Sequence, residues 1–283
     1  ECLTTSRPSD GMTLLTSCAY TGRTDACQLL LNQGVDVNQK AKGVKKTREA
    51  TAIIMACYGG HLAVVQLLLA RKEIQINQAK NNGATPLFIA CAYDHVKIIN
   101  ALLTRKEIQI NQAMNDGRTP LFIACQQDRV KVVNALLARK EIQINQAAND
   151  GATPLYTACQ YDHVKVVNAL LARKEIQINQ AMNDGRTPLF IACQQDRVKV
   201  VNLLLARKEI QINQALDDGA TPLLIACYED HVKVVKALLA RKEIQINQAL
   251  DDGRTPLFIA CQHDRVKVVK ALLARKEIQI NQA

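Results

Sequence analysis

The sequence predicts an all-α solenoid of stacked helix-turn-helix units whose connections project as β-turn or hairpin fingers. Three observations lead there. Gly83, Gly117, Gly151, Gly185, Gly219 and Gly253 recur every 34 residues. Each glycine is followed, after one residue, by Thr-Pro-Leu, from Thr85-Pro86-Leu87 to Thr255-Pro256-Leu257. Two degenerate copies precede these, one near Gly11 with Thr13-Leu14-Leu15 and one near Glu49 with Thr51-Ala52-Ile53, which makes eight units. Third, the apolar segments are shorter than the roughly 12–15 residues a lone helix needs in water, so each unit must bury its apolar face on the next.

The elements of one unit follow in order. Gly83 supplies the tight turn at the finger tip, a place for a residue free to take positive φ. Thr85 is an N-cap and Pro86 suits the first helical position. The first helix then runs to about Ala92. Small Ala90 and Cys91 let neighbouring first helices approach closely. Asp94 takes the next turn, where Gly22 and Gly60 stand in the first two units; Asp tolerates the left-handed conformation better than most residues. A second helix places Val96, Ile99, Leu102 and Leu103 on one face.

A 34-residue period alone also fits tetratricopeptide units, but those carry a Trp-containing pattern and this chain has no Trp. The string Thr85-Pro86-Leu87-Phe88-Ile89-Ala90 resembles the ankyrin signature, and Gly34-Val35-Asp36-Val37-Asn38 resembles the usual ankyrin ending. The resemblance covers nearly the whole chain. It implies one ankyrin-repeat domain over 1–283, with repeats near 9–47, 48–81, 82–115, 116–149, 150–183, 184–217, 218–251 and 252–283. Two departures stand out. Leu31 to Asn38 is seven steps but Leu69 to Asn77 is eight, so one residue has been added around Arg71-Lys72-Glu73. The family's usual His after Thr-Pro-Leu is replaced by Phe88, Phe122, Tyr156, Phe190, Leu224 or Phe258, which exchanges a local hydrogen bond for packing.

Composition narrows the function classes. The chain is 48% hydrophobic and 22% charged but only 4% aromatic, so its core must be built from Leu, Ile, Val, Ala and Cys. There is no run of 18 apolar residues and no signal peptide, so no membrane span is expected. The sequence starts at Glu1 and stops inside a repeat at Ala283, which reads as a piece of a longer protein. Of ten cysteines, Cys57, Cys91, Cys125, Cys159, Cys193, Cys227 and Cys261 fall one repeat apart, without the paired spacing of a disulfide framework or zinc ribbon. A reduced intracellular compartment, cytoplasmic or nuclear, is the simpler reading. Cys57 and His61, like Cys91 and His95, sit four apart, but two ligands are too few for structural zinc. The reading is buried Cys with a junction His, with no metal, cofactor or catalytic residue. No phosphate loop, nucleophile elbow or zinc-protease motif is present.

The resemblance implies a non-catalytic scaffold that binds a protein partner along a concave face. The family's contact positions map onto the two residues before each glycine, the one after it, and the two after Ala-Cys. These positions vary most between copies. The residue after Gly alternates between Ala and Arg, giving a row of Arg118, Arg186 and Arg254. The first-helix end offers Tyr93, Gln127, Tyr161, Gln195, Tyr228, Glu229 and His263, with the tyrosines as anchors. The next turn alternates His95, Arg129, His163, Arg197, His231, Arg265, so the duplication unit is a pair of repeats. A longer basic finger between Asn38 and Thr51 adds Lys45 and Lys46. With a formal net charge of +10, the expected partner is acidic. Nucleic acid or another polyanion on the basic row is the rival, disfavoured because Asp and Glu interleave with the basic residues and aromatics for stacking are few. A structural spacer is the third reading. A monomer is expected.

Overall fold

The computed structural model describes residues 11–42 and 49–280. It divides into two compact units, the first running through Gln143 and the second from Ile144. Among the described residues there are sixteen helices and no strand, in consecutive pairs. The first unit holds α1 (Leu14–Tyr20) with α2 (Thr24–Asn32), α3 (Ala52–Gly59) with α4 (Leu62–Leu69), α5 (Pro86–Ala92) with α6 (Val96–Leu103), and α7 (Pro120–Gln126) with α8 (Val130–Leu137). The second holds α9 (Pro154–Gln160) with α10 (Val164–Leu171), α11 (Pro188–Gln194) with α12 (Val198–Leu205), α13 (Pro222–Tyr228) with α14 (Val232–Leu239), and α15 (Pro256–Gln262) with α16 (Val266–Leu273).

Local chemistry sets each helix. The Thr85 hydroxyl accepts from the Phe88 amide at 3.1 Å, and Pro86 follows at the first helical position. The same cap recurs at Thr119, Thr153, Thr187, Thr221 and Thr255. The turn out of α5 passes through Asp94 at φ 60°, and Asp128, Asp162, Asp196, Asp230 and Asp264 repeat it. These aspartates fill the place that Gly22 and Gly60 hold at φ 73° and 77°.

Stacking follows within each unit. First helices pack on first helices, α1 on α3, α3 on α5 and α5 on α7 in one unit, and α9 on α11, α11 on α13 and α13 on α15 in the other. Second helices pack in parallel rows. Ala90 and Cys91 are wholly buried in the first-helix layer. In α6 the buried face is Ile98, Ile99, Leu102 and Leu103; Val96, expected on that face, is only half-buried because it sits at the open start of the helix. Phe88, Phe122, Tyr156, Phe190 and Leu224 are buried, so packing does replace the polar contact there, whereas Phe258 is exposed.

Two polar clamps close the edges. Asn111 reaches into the next repeat, its Nδ2 donating to the Glu141 carbonyl at 2.8 Å and its Oδ1 accepting from the Gln143 amide at 2.9 Å. Asn38, Asn77, Asn145, Asn179, Asn213 and Asn247 do the same. The added Arg-Lys-Glu trio explains itself beside them. Arg139 Nη1 donates to the Leu103 carbonyl at 2.7 Å and Arg207 Nη1 to Leu171 at 2.8 Å, serving carbonyls that a helix end leaves without internal partners. Their other nitrogens hold Glu141 and Glu209 at 2.8 Å.

Two substitutions test this packing. Leu102→Ala, at a fully buried position, should cost about 2–5 kcal/mol in chemical denaturation. Asn111→Ala should cost about 1–3 kcal/mol, because it removes both bonds of a clamp. Asn111→Asp, which keeps the acceptor and loses the donor, should fall between Asn111→Ala and the native chain.

Candidate binding surface

The fingers are tight hairpins. Gly83 donates its amide to the Lys80 carbonyl at 2.9 Å, and Lys80 donates to Ala84 at 3.0 Å, with Gly83 at φ 84°. That is the pattern of a turn closed by a left-handed glycine. The residue before each glycine braces the turn from its side chain: Asp116 Oδ1 accepts from the Arg118 amide at 3.1 Å, and Asp150 Oδ1 from Ala152 at 3.0 Å. The longer finger is closed at its base, where Ala41 donates to Ala50 and Glu49 to Ala41, each at 2.9 Å. Lys45 and Lys46 lie outside the described residues.

The finger arginines have partners. The second oxygen of Asp116 takes Arg118 Nε at 2.8 Å, Asp184 takes Arg186 Nε at 2.7 Å, and Asp252 takes Arg254 Nε at 2.7 Å. Each guanidinium is thereby fixed in direction and its charge is cancelled within its own finger. The bond from Arg118 holds the Asp116 carboxyl below the ordinary aspartate range, and that from Arg186 does the same for Asp184. At Asp252 the Arg254 backbone amide is the leading cause of the same downward shift. The pairing could have been anticipated from Asp-Gly-Arg, but it needs the turn to fold residue i+2 back onto i.

Neighbouring fingers join in twos. The Asn115 amide donates to the Asn82 carbonyl at 3.0 Å in the first unit. In the second, Asn183 donates to Asp150 at 3.0 Å and Asp251 to Asp218 at 3.1 Å. A Cβ at Gly151 would stand 2.6 Å from the Asn183 nitrogen, so glycine is required there; at Gly185 the nearest atom is the flexible Leu216 side chain at 3.3 Å. Thus an Ala finger packs tightly against the Arg finger that follows it, and the 184 finger stands further from the 218 finger.

The first-helix ends supply the rest of the surface. Tyr93, Tyr161 and Tyr228 are 42–47% exposed. Gln127, Gln195 and Glu229 are exposed and His263 is half-buried. The Tyr228 and His263 rings meet edge to face at 4.8 Å. In the first unit Tyr93 does not stand alone. Its ring lies 4.4 Å from Tyr58, which lies 6.4 Å from Tyr20, and the Tyr93 hydroxyl donates to that of Tyr58. Tyr20 and Tyr58 were missed as surface residues. The signal was available, since both follow the small-residue pair of the two degenerate copies.

At four of these positions His and Arg make the same bond, whereas His95 Nε2 and Arg129 Nε are buried without a hydrogen-bond partner. His61 Nε2 bonds the Tyr20 carbonyl at 2.8 Å and His231 Nε2 the Gln194 carbonyl at 3.0 Å. Arg197 Nε donates to the Gln160 carbonyl at 3.1 Å and Arg265 Nε to Tyr228 at 3.2 Å. Both residue types tie a second helix to the end of the preceding first helix.

The cysteines behave as core. Burial pushes the Cys57, Cys91, Cys159, Cys193 and Cys227 thiols far above their ordinary range and raises Cys27 to about 12. Among the described residues no group of three or more His, Cys, Asp or Glu is placed to hold a metal ion. No described helix is long and apolar enough to cross a membrane.

The family model for ankyrin repeats in three copies matches residues 15–114, 53–148, 106–182, 141–215 and 208–283, which leaves little of the chain unmatched. The chain belongs to the ankyrin-repeat family. No curated protein matches it. Ankyrin repeats generally mediate protein–protein interaction and are typically non-catalytic. In this ankyrin chain the residues expected from the sequence to meet a partner lie on the braced fingers and the first-helix ends described above.

Two measurements follow. The Asp116 and Asp184 carboxyls should titrate by NMR below roughly 3.9, the value of an unpaired aspartate. Arg186→Ala should return Asp184 toward that value. Because the folded midpoints lie below the unfolded one, the pairs stabilise the native state above the ordinary midpoint and lose that contribution as pH falls through the depressed values. Among the described cysteines, native-state alkylation should modify exposed Cys261 first and spare buried Cys57, Cys91, Cys159, Cys193 and Cys227 until the chain unfolds.

Proposed function

We propose that this ankyrin chain is a non-catalytic, intracellular scaffold that binds a protein partner along its fingers and first-helix ends. One observation supports this above the others. In each unit finger residues at the family's contact positions are held in place before any partner arrives. The finger carboxylates brace the turns, the arginines are fixed on those carboxylates, and Tyr20, Tyr58 and Tyr93 pack into one aromatic patch. Side chains already ordered lose less entropy on association, which is where affinity is gained on a modest surface. Tyrosine adds contact area with few rotatable bonds.

The finger pairs also refine the partner. Arg118, Arg186 and Arg254 offer oriented donors without net charge at the finger, so they favour a polar surface with matched acceptors as much as an acidic one. Free, buried cysteines fit a reducing compartment.

The test is capture from lysate of the source cell on the native chain and on two variants, followed by direct titration of what is retained. One variant combines Arg118→Ala, Arg186→Ala and Arg254→Ala; the other combines Tyr58→Ala and Tyr93→Ala. A cognate protein should be held by the native chain and weakened at least about tenfold by either variant, each removal costing 1–2 kcal/mol at a hot spot. Unchanged affinity in both variants, with unfolding midpoints preserved, would sink the assignment of this surface.

A further inference from the structure

Asn82-Gly83 is the only Asn-Gly step in the sequence. The five later fingers carry Asp-Gly at the same place, from Asp116-Gly117 to Asp252-Gly253. Position 83 has to be glycine. It stands at φ 84°, and a Cβ there would meet the Met114 backbone at 2.7 Å and the Asn115 nitrogen at 2.8 Å. Position 82 has to carry an acceptor. Asn82 Oδ1 takes the Ala84 amide at 3.2 Å, as the aspartate oxygens take the equivalent amides at 3.0–3.1 Å. Asn and Asp both serve as this brace, so the side-chain amide at position 82 is a feature the finger's geometry does not require. Asn82 itself is exposed.

We propose that Asn82 is a site of spontaneous deamidation, converted to aspartate and isoaspartate. Its bond to the Ala84 amide folds the side chain back over the Gly83 peptide, and glycine leaves that nitrogen without a shielding Cβ. Hydroxide removes the Gly83 amide proton, and the nitrogen attacks Asn82 Cγ. The Cγ–Nδ2 bond breaks, and the side-chain nitrogen leaves as ammonia with a proton from water. The product is a five-membered imide. Water opens it at Cγ to give aspartate, or at the backbone carbonyl carbon to give isoaspartate. The Gly83 amide is tied to the Lys80 carbonyl at 2.9 Å, so the reaction waits for the finger to open. The two products differ in what they do to the fold. Aspartate reproduces the brace of the later fingers and turns the finger around Lys80 from cationic to neutral. Isoaspartate routes the backbone through Cβ and Cγ. The carbonyl that accepts the Asn115 amide at 3.0 Å then leaves the main chain, and the Asn81 carbonyl that accepts Asn115 Nδ2 at 2.8 Å is displaced with it. That product unfastens this finger from the one that follows. The inference concerns the finger itself and stands apart from the partner-binding reading.

Peptide mapping of the full chain by mass spectrometry, during mildly alkaline incubation, tests it. The peptide holding Asn82 should gain the mass of an amide-to-acid conversion before any other asparagine does, and faster as pH rises. Isoaspartyl methyltransferase should label part of the product. In the isoaspartyl form the Asn115 amide should exchange its hydrogen about tenfold faster, the effect of losing one backbone bond. Asn82→Asp, which begins from one of the two products, should keep the native unfolding midpoint and the native Asn115 exchange, and should accumulate isoaspartate more slowly than the native chain. Earlier conversion at another asparagine, an Asn82 peptide that stays intact until the chain unfolds, or unaltered Asn115 exchange in the isoaspartyl form overturns the proposal.

Discussion

No described helix in this protein is longer than nine residues, so none can exist without a neighbour. Everything else follows from that dependence. Each unit must present a dry face on two sides, which is why the first-helix layer uses Ala and Cys, small enough to let the backbones approach. Burial supplies the attraction but has no direction of its own. Direction comes from the polar edges. The asparagine clamps tie backbone to backbone across repeats, and the edge arginines serve carbonyls that the short helices leave open. A lattice of this kind keeps stacking distance and register constant while leaving the outward positions free to change.

That freedom is unequal among the outward positions. The third varying position reads as a surface difference, but at His61, Arg197, His231 and Arg265 it performs one task with two side chains. In those four a ring or guanidinium nitrogen meets the equivalent carbonyl. The finger position differs in kind. Ala and Arg fingers alternate, and an Ala finger is bonded to the Arg finger after it. The fingers are therefore coupled in the same pairs as the duplication, while the helix stack and the asparagine clamps continue across the pair boundary.

Charge is distributed by the same rule. Arginine is drawn into geometry, where its fork meets a carboxylate and a carbonyl together. Lysine is left facing water. A basic sequence thus becomes a chain whose finger and edge arginines are paired with carboxylates while the lysines of its second helices stay exposed.

The repeat, its helical hairpins, the threonine caps and the left-handed aspartates were legible in the sequence, because each depends on a few adjacent residues and recurs. The candidate positions were legible too, as the places where near-identical copies disagree. Partnership was not. That Arg118 turns back on Asp116, that Tyr20, Tyr58 and Tyr93 form one patch, and that His231 and Arg197 are equivalents all depend on contacts the turn geometry and the stacking create. Local propensity acts along the chain and can be read in order. Charge cancellation and ring packing act through space, between residues as far as 38 positions apart, and only the folded stack decides which of them meet.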